Sequence, residues 1–138
     1  MKVVSDGLKT LVDAAPGSVH NSFYTAIGGR FYYGVAPQNP TFPYCIHWLP
    51  NDKHDPYFVE KYEDILVQFD IYDKATTAVA IDAAGEALKA LFDDAVLTVT
   101  GYTALPMLRE FSIPPDPDTT TGIFQYTFQY RLIVEKNR

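Results

Sequence analysis

Cys45 and His47 stand two residues apart in a β-favouring run, Tyr44 to Leu49, so both side chains would leave the same face of a strand; His54 follows in the next turn. A thiol beside an imidazole is the chemistry of an activated nucleophile with its base, and the same three side chains are metal ligands. Neither site is complete. The pair lacks a third group to orient the base, and structural zinc takes four ligands at recognised spacings that one Cys-x-His does not match. No catalytic or metal site follows, and a buried cysteine beside a packed or surface histidine is the simpler reading.

Carboxylates could serve as general acid and base. Asp93-Asp94 sit at the end of a helical segment, while Asp52, Asp55, Asp116 and Asp118 fall in turn-like stretches. Aspartate is favoured in turns because its side chain hydrogen-bonds nearby backbone. The run from Asp116 to Gly122 lacks the spacing of a calcium loop. Gly28-Gly29 has neither the lysine of a phosphate-binding loop nor the spacing of a dinucleotide fold, and reads as a helix terminator. No cofactor is implied.

The whole chain narrows the classes further. Its 138 residues fit a single domain, 1–138, with 47% hydrophobic and 20% charged residues, enough apolar surface to form a core. Against 11 basic residues stand 17 acidic ones, a formal charge of -6, which repels a phosphate backbone and disfavours a nucleic-acid-binding surface. The lone cysteine cannot make an internal disulfide, so the fold does not rely on oxidising conditions. No basic region with a long apolar run opens the chain, and no apolar stretch is long enough to span a bilayer. The expectation is a protein neither exported by a signal peptide nor embedded in a membrane.

Val4, Leu8, Leu11 and Val12 recur at helical spacing over residues 3–14 until Pro16-Gly17 interrupts. A second short helix is expected over 18–27, with Ser18 as N-cap and Gly28-Gly29 as terminator. A short strand at 30–34 leads into a proline-punctuated loop and then the strand 44–49. Pro50 to Pro56, enclosing Asn51, Asp52, Lys53, His54 and Asp55, is turn chemistry. Beyond it, 60–73 is the clearest strand. Ile65, Val67, Phe69 and Ile71 occupy one parity, Asp64, Gln68, Asp70 and Tyr72 the other, with Leu66 the sole apolar interruption.

Ile81, Ala84, Leu88 and Leu91 mark a long helix within 75–92 that should lie across the sheet and stop before Asp93-Asp94. A short strand at 96–100 and a hairpin of 102–113 with 123–135 complete the order. The hairpin is joined by a polar segment holding Asp116, Asp118, Thr119 and Thr120. The fold class is α+β: a mainly antiparallel sheet of about four to five strands, a long helix packed across it, and one or two short N-terminal helices. Tyr44, Tyr62, Leu66, Tyr72 and Tyr102 put more apolar surface on the wet sides of the strands than one small core absorbs. Either that surface is a protein interface, or the two N-terminal helices cover it as a second layer.

Several stretches carry a resemblance through their order and spacing. They are Gly28-Gly29-Arg30-Phe31-Tyr32 leading to Pro37-Gln38, Pro43-Tyr44, the run from Glu63 to Ile71, Ala87 to Asp94, and the closing Tyr130 to Glu135. Over nearly all its length the chain resembles the tail completion or tail terminator proteins of long-tailed bacteriophages and prophages. The resemblance implies a structural subunit, not an enzyme, that forms a ring of six copies on the head-proximal end of a finished tail tube. It places the protein in the virion, assembled in the host bacterial cytoplasm, with further copies of itself, the tail tube protein and the head-tail connector protein as partners. DNA would pass through an acidic lumen without specific binding, and no membrane is involved. A ring closes only through heterologous contacts. On this reading Asp64, Leu66, Gln68, Asp70 and Tyr72 are the subunit-interface candidates. The loops with Asn51, Asp52, Lys53, His54 and Asp55, and with Asp116, Asp118, Thr119 and Thr120, would reach the tube, the connector or a neighbour. A monomeric neck adaptor and a small Cys45/His47 hydrolase stand as alternatives.

Overall fold

The N-terminal apolar repeat forms helix α1 (Lys2–Asp13), which buries Val4, Leu8 and Val12 along one side. In this computed structural model, which describes residues 2–54, 62–117 and 120–137, a tight turn at Pro16–Ser18 separates α1 from helix α2 (Ser22–Ile27). The N-cap of α2 is Asn21 and not Ser18. Ser18 takes φ 67° inside the turn, whereas Asn21 is extended and its side chain accepts the Tyr24 N–H. Gly28 closes α2 at φ 60°, the left-handed conformation that glycine adopts without a Cβ penalty.

The chain continues through β1 (Phe31–Tyr33), β2 (Tyr44–His54), β3 (Tyr62–Lys74), helix α3 (Val79–Phe92), β4 (Thr98–Val99), β5 (Tyr102–Ala104), β6 (Leu108–Pro117) and β7 (Ile123–Lys136). Among the described residues the strands form one sheet of seven, ordered β1-β2-β3-β7-β5-β4, with β6 paired to β7 beside β5. It is thus larger than the four to five strands expected, and mixed, because β1 runs parallel to β2 while the other pairs are antiparallel. The expected strand 102–113 is two, β5 and β6, and the prolines explain why β2 and β6 run further than expected. Pro50 falls in a register shift between Trp48 and Asn51, and Pro114-Pro115 in one between Ile113 and Asp116. At such bulges a missing N–H costs no ladder bond. Asn51 to His54 therefore continue β2, and Asp116 lies in β6, where turn chemistry implied loops.

The α-helices α1, α2 and α3 of the described residues lie on one face of the sheet. Ser5 of α1 bonds His47 of β2, Phe23 of α2 meets Phe31 and Phe92 edge-on, and Gly85 of α3 lies against Tyr126 and Phe128. Ile65, Val67, Phe69 and Ile71 are buried there together with Phe124, Phe128, Tyr130, Leu132 and Val134. The expected alternation of β3 and β7 is present on that face. The N-terminal helices are not a second layer over the opposite face. At the end of α3, Asp93 accepts the Tyr130 hydroxyl at 2.6 Å and stands 3.6 Å from Arg109. Burial first, and this hydrogen bond second, hold the Tyr130 phenol far above its ordinary range. Asp93 is thereby a tie between helix end and sheet.

Candidate interaction surface

With the helices on one side, the register of four strands lays out the other. Across β6, β7, β3 and β2 one row reads Asp116, Gln125, Tyr72, Tyr44, and the next Ile113, Thr127, Asp70, Ile46. Then come Phe111, Gln129, Gln68, Trp48, and Leu108, Arg131, Leu66, Asn51. The flanks of this face are largely apolar and its middle is polar. Leu108 and Ile113 are each 54% exposed, Phe111 45% and Trp48 40%, so no described element covers the flanks. Large apolar side chains grouped in water mark a contact surface.

Asp70 occupies the middle and is only 6% exposed. Its Oδ1 accepts the Thr127 hydroxyl at 2.6 Å and Gln125 Nε2 at 3.2 Å, and its Oδ2 accepts Gln68 Nε2 at 3.2 Å and Trp48 Nε1 at 3.3 Å. Every partner donates, which suits an acceptor-only carboxylate. Asp70 is therefore not free to meet a neighbour: parity assigned it to the outward face correctly, but its neighbours on β2 and β7 close over it. Asp64 is engaged too. Arg131 Nε donates to both of its oxygens, at 2.9 and 3.0 Å, and Nη2 makes a third contact with Oδ2. Leu66, Gln68 and Tyr72 remain half-exposed on the face.

No family model matches the chain, and no curated protein matches it in sequence. Among solved structures, a chain in the virion of a native gene transfer agent particle superposes with a TM-score of 0.66 at 14% identity, covering 96% of this chain and 97% of that one. The two share a fold. A second solved chain matches with a TM-score of 0.56 at 9% identity, over 99% of this chain and 95% of its own length. At such identities the likeness is one of architecture, and it spans the whole α+β unit, not one element.

Cys45 and His47 do share a face, but it is the core face. Cys45 is fully buried, and burial, with the Asp70 carboxylate adding, pushes its thiol well above the usual range. That opposes formation of a nucleophilic thiolate. His47, 1% exposed, is stacked against Phe31 at 4.2 Å and Tyr33 at 5.2 Å, with its Nε2 2.8 Å from Ser5 Oγ. Burial, with Lys9 contributing, pulls its pKa down to about 4. A neutral imidazole on a serine has the outline of a hydrolytic dyad, yet both members are buried and, among the described residues, no side chain meets Nδ1 in a well-formed hydrogen bond to orient it. Ser5 gave no signal of its own in the sequence except a polar residue on the apolar side of α1.

The expected loop residues separate into groups. Asn51, Asp52, Lys53 and His54 pair along β3 opposite Leu66, Ile65, Asp64 and Glu63. Asp116 stands opposite Gln125, and Thr120 lies in the turn before β7. Asp55, Asp118 and Thr119 lie outside the described residues. Among the described residues no group of three or more His, Cys, Asp or Glu is placed to hold a metal ion, and no helix is long and apolar enough to cross a membrane. Trp48, Leu108, Phe111 and Ile113 are the surface residues that sequence reading missed. Leu108 shares a face with Phe111 and Ile113 only through the bulge between Arg109 and Phe111, which periodicity alone does not locate.

Proposed function

We propose that this chain is a structural subunit of a phage-type virion: a tail terminator that caps the head-proximal end of the tail tube, ends tube growth and presents the joining surface to the head connector. It works as a closed ring of six copies and not as an enzyme. The observation that carries this reading is the apolar-flanked sheet face left open by three helices, on a fold shared end to end with a virion chain of a gene transfer agent particle. A subunit that must close a ring needs two different patches. The open face supplies one, through Trp48, Leu66, Gln68, Tyr72 and Phe111. The other patch and the contacts to tube and connector draw on the remaining surface, including the β6–β7 turn. The formal charge of -6 favours a lumen that lets DNA pass without adhering.

Electron microscopy of tails assembled with and without the protein tests the reading. Tubes of unregulated length in its absence support termination. Tubes of normal length that fail to join heads would assign it to the connector instead. Sedimentation of the protein alone and on tubes adds the oligomeric state, and a monomer in both settings would favour a neck adaptor.

A further inference from the structure

One end of the open face is recessed. The recess, about 320 Å³, is lined by Tyr44, Tyr72, Gln125, Asp116, Thr121 and Ile123. The register places Asp116 opposite Gln125, Gln125 opposite Tyr72, and Tyr72 opposite Tyr44. A carboxylate and an aromatic wall thus face each other across β7, two strand spacings or roughly 10 Å apart at the backbone. The wall is well built. Tyr44 and Tyr72 stack with ring centres 5.3 Å apart, and Phe42 and Tyr32 back Tyr44 at 5.3 and 6.1 Å. Burial raises both phenols above their ordinary range, so the wall stays neutral with its negative π faces intact.

Beneath the recess the field is also negative. Gln125 bonds Asp70, and the partners of that buried carboxylate, Trp48, Gln68, Gln125 and Thr127, are all neutral. Buried carboxylates are ordinarily paired with a cation, and none pairs with this one among the described residues. Asp116 is exposed and likewise makes no ion pair among the described residues. The nearest cation in the register is Lys74, opposite Ile123 at the rim; it does not line the recess. With Gln125 Nε2 turned to Asp70 and Thr127, the amide oxygen of Gln125 is left as an acceptor.

We infer that this recess seats the arginine side chain of a protein segment that docks on the open face. A guanidinium is planar, so it stacks on the Tyr72–Tyr44 wall while its edge donates to Asp116 and to the Gln125 oxygen; an ammonium cannot do both. The next row of the face carries Ile113 on β6 and Ile46 on β2 at its two flanks, so the part of the segment that leaves the recess along the face meets apolar side chains at either flank. The inference goes beyond the ring reading: the segment belongs to a different protein and not to a second copy, because the arginines of this chain among the described residues are each engaged at home, Arg30 on the Phe42 and Pro43 carbonyls, Arg109 with Asp93 and Arg131 on Asp64.

The test is an amide-shift titration of the isotope-labelled protein, at a concentration where it sediments as a monomer, with acetyl-Leu-Arg-Leu-amide. Saturable shifts at Tyr72, Ile123 and Gln125 are expected, with about tenfold weaker binding of the citrulline analogue, which keeps the shape and loses the charge. Asp116→Asn, on an exposed position of an edge strand, should weaken the arginine peptide by a similar factor, and Lys74→Gln should tighten it. Equal binding of the citrulline peptide, shifts confined to other surfaces, or no saturation would overturn the inference. Spermidine binding as tightly as the peptide would overturn it in favour of a free flexible cation. None of these outcomes bears on tube length, so a failure here is distinct from a failure of the terminator reading.

Discussion

Thr127 gives its hydroxyl hydrogen to Asp70 at 2.6 Å, directly across the β3–β7 ladder and on the face opposite the helices. The bond anchors a set of four neutral donors around one buried carboxylate, holding β2, β3 and β7 in register beneath the open face. Hydrogen bonds to a charged group contribute about 1.5–3 kcal/mol each. Asp70→Asn puts an amide N–H₂ where an acceptor is needed and should lower unfolding free energy by about 2 kcal/mol in urea titrations. Thr127→Val should cost about 1–2 kcal/mol. Because the two share one bond, the double variant should lose less than the sum. An Asp70→Asn protein as stable as the parent would remove the hub from the argument.

His47 ties stability to pH. Its pKa falls from 6.5 to about 4 on burial. Above the upper value both folded and unfolded chains carry a neutral imidazole. Between the two, the unfolded chain takes up a proton that the folded one refuses, so stability drops as pH falls through this window, by roughly 3 kcal/mol in total. Carboxylates add slopes of their own. The diagnostic is therefore the difference between parent and His47→Gln in urea midpoints measured from pH 7.5 to about 4.5; the excess slope should vanish in the variant. Parallel slopes would mean that the imidazole is protonated in the folded state.

The long alternations of β3 and β7 were legible because a period of two survives any detail of packing. So was the end of α3 before Asp93, where an acidic pair opposes the helix dipole. What failed had specific causes. Ser18 and Asn21 are both good N-cap residues, and only the positive φ of Gly17 and Ser18 decides between them. Pro50 and Pro114-Pro115 read as chain turns because proline's lost donor is local, whereas the bulge that tolerates it is a property of two strands. The parallel pairing of β1 with β2 was hidden for the same reason. On the candidate surface, parity identified the outward residues of β3 but could not show that Trp48 and Thr127 close over Asp70, because those contacts lie 22 and 57 residues away in sequence.

Gly85 sets the distance between α3 and the sheet. A Cβ built on it would stand 2.5 Å from Cε2 and 2.8 Å from Cδ2 of Tyr126, whose ring is held by stacking on Phe128 at 4.3 Å. Alanine is the better helix former by about 1 kcal/mol, but overpacking against a fixed ring costs about 1–3 kcal/mol. Gly85→Ala should therefore be net destabilising, by about 1 kcal/mol in thermal or urea unfolding. A stabilised variant would show that the ring has room to retreat.

Phe111 and Trp48 separate folding from assembly. Both stand in solvent on the open face, on β6 and β2, with the Gln129 and Gln68 positions between them. Phe111, 45% exposed, is buried only in part by the monomer, so Phe111→Asp should lower its unfolding free energy by no more than about 1 kcal/mol. Assembly should respond quite differently, because an aspartate desolvated within a contact opposes association. The expected outcome is loss of the oligomer in sedimentation and of tail completion in micrographs, with the folded monomer intact. A mixture is more telling still. In a heterologous ring the variant keeps its second patch, so it can dock onto a parent subunit's open face but cannot receive the next one. Added at a few subunits per ring, it should leave open arcs and lower the yield of completed tails more steeply than simple dilution. A yield that falls only in proportion to the parent fraction would place the subunit contact on another surface.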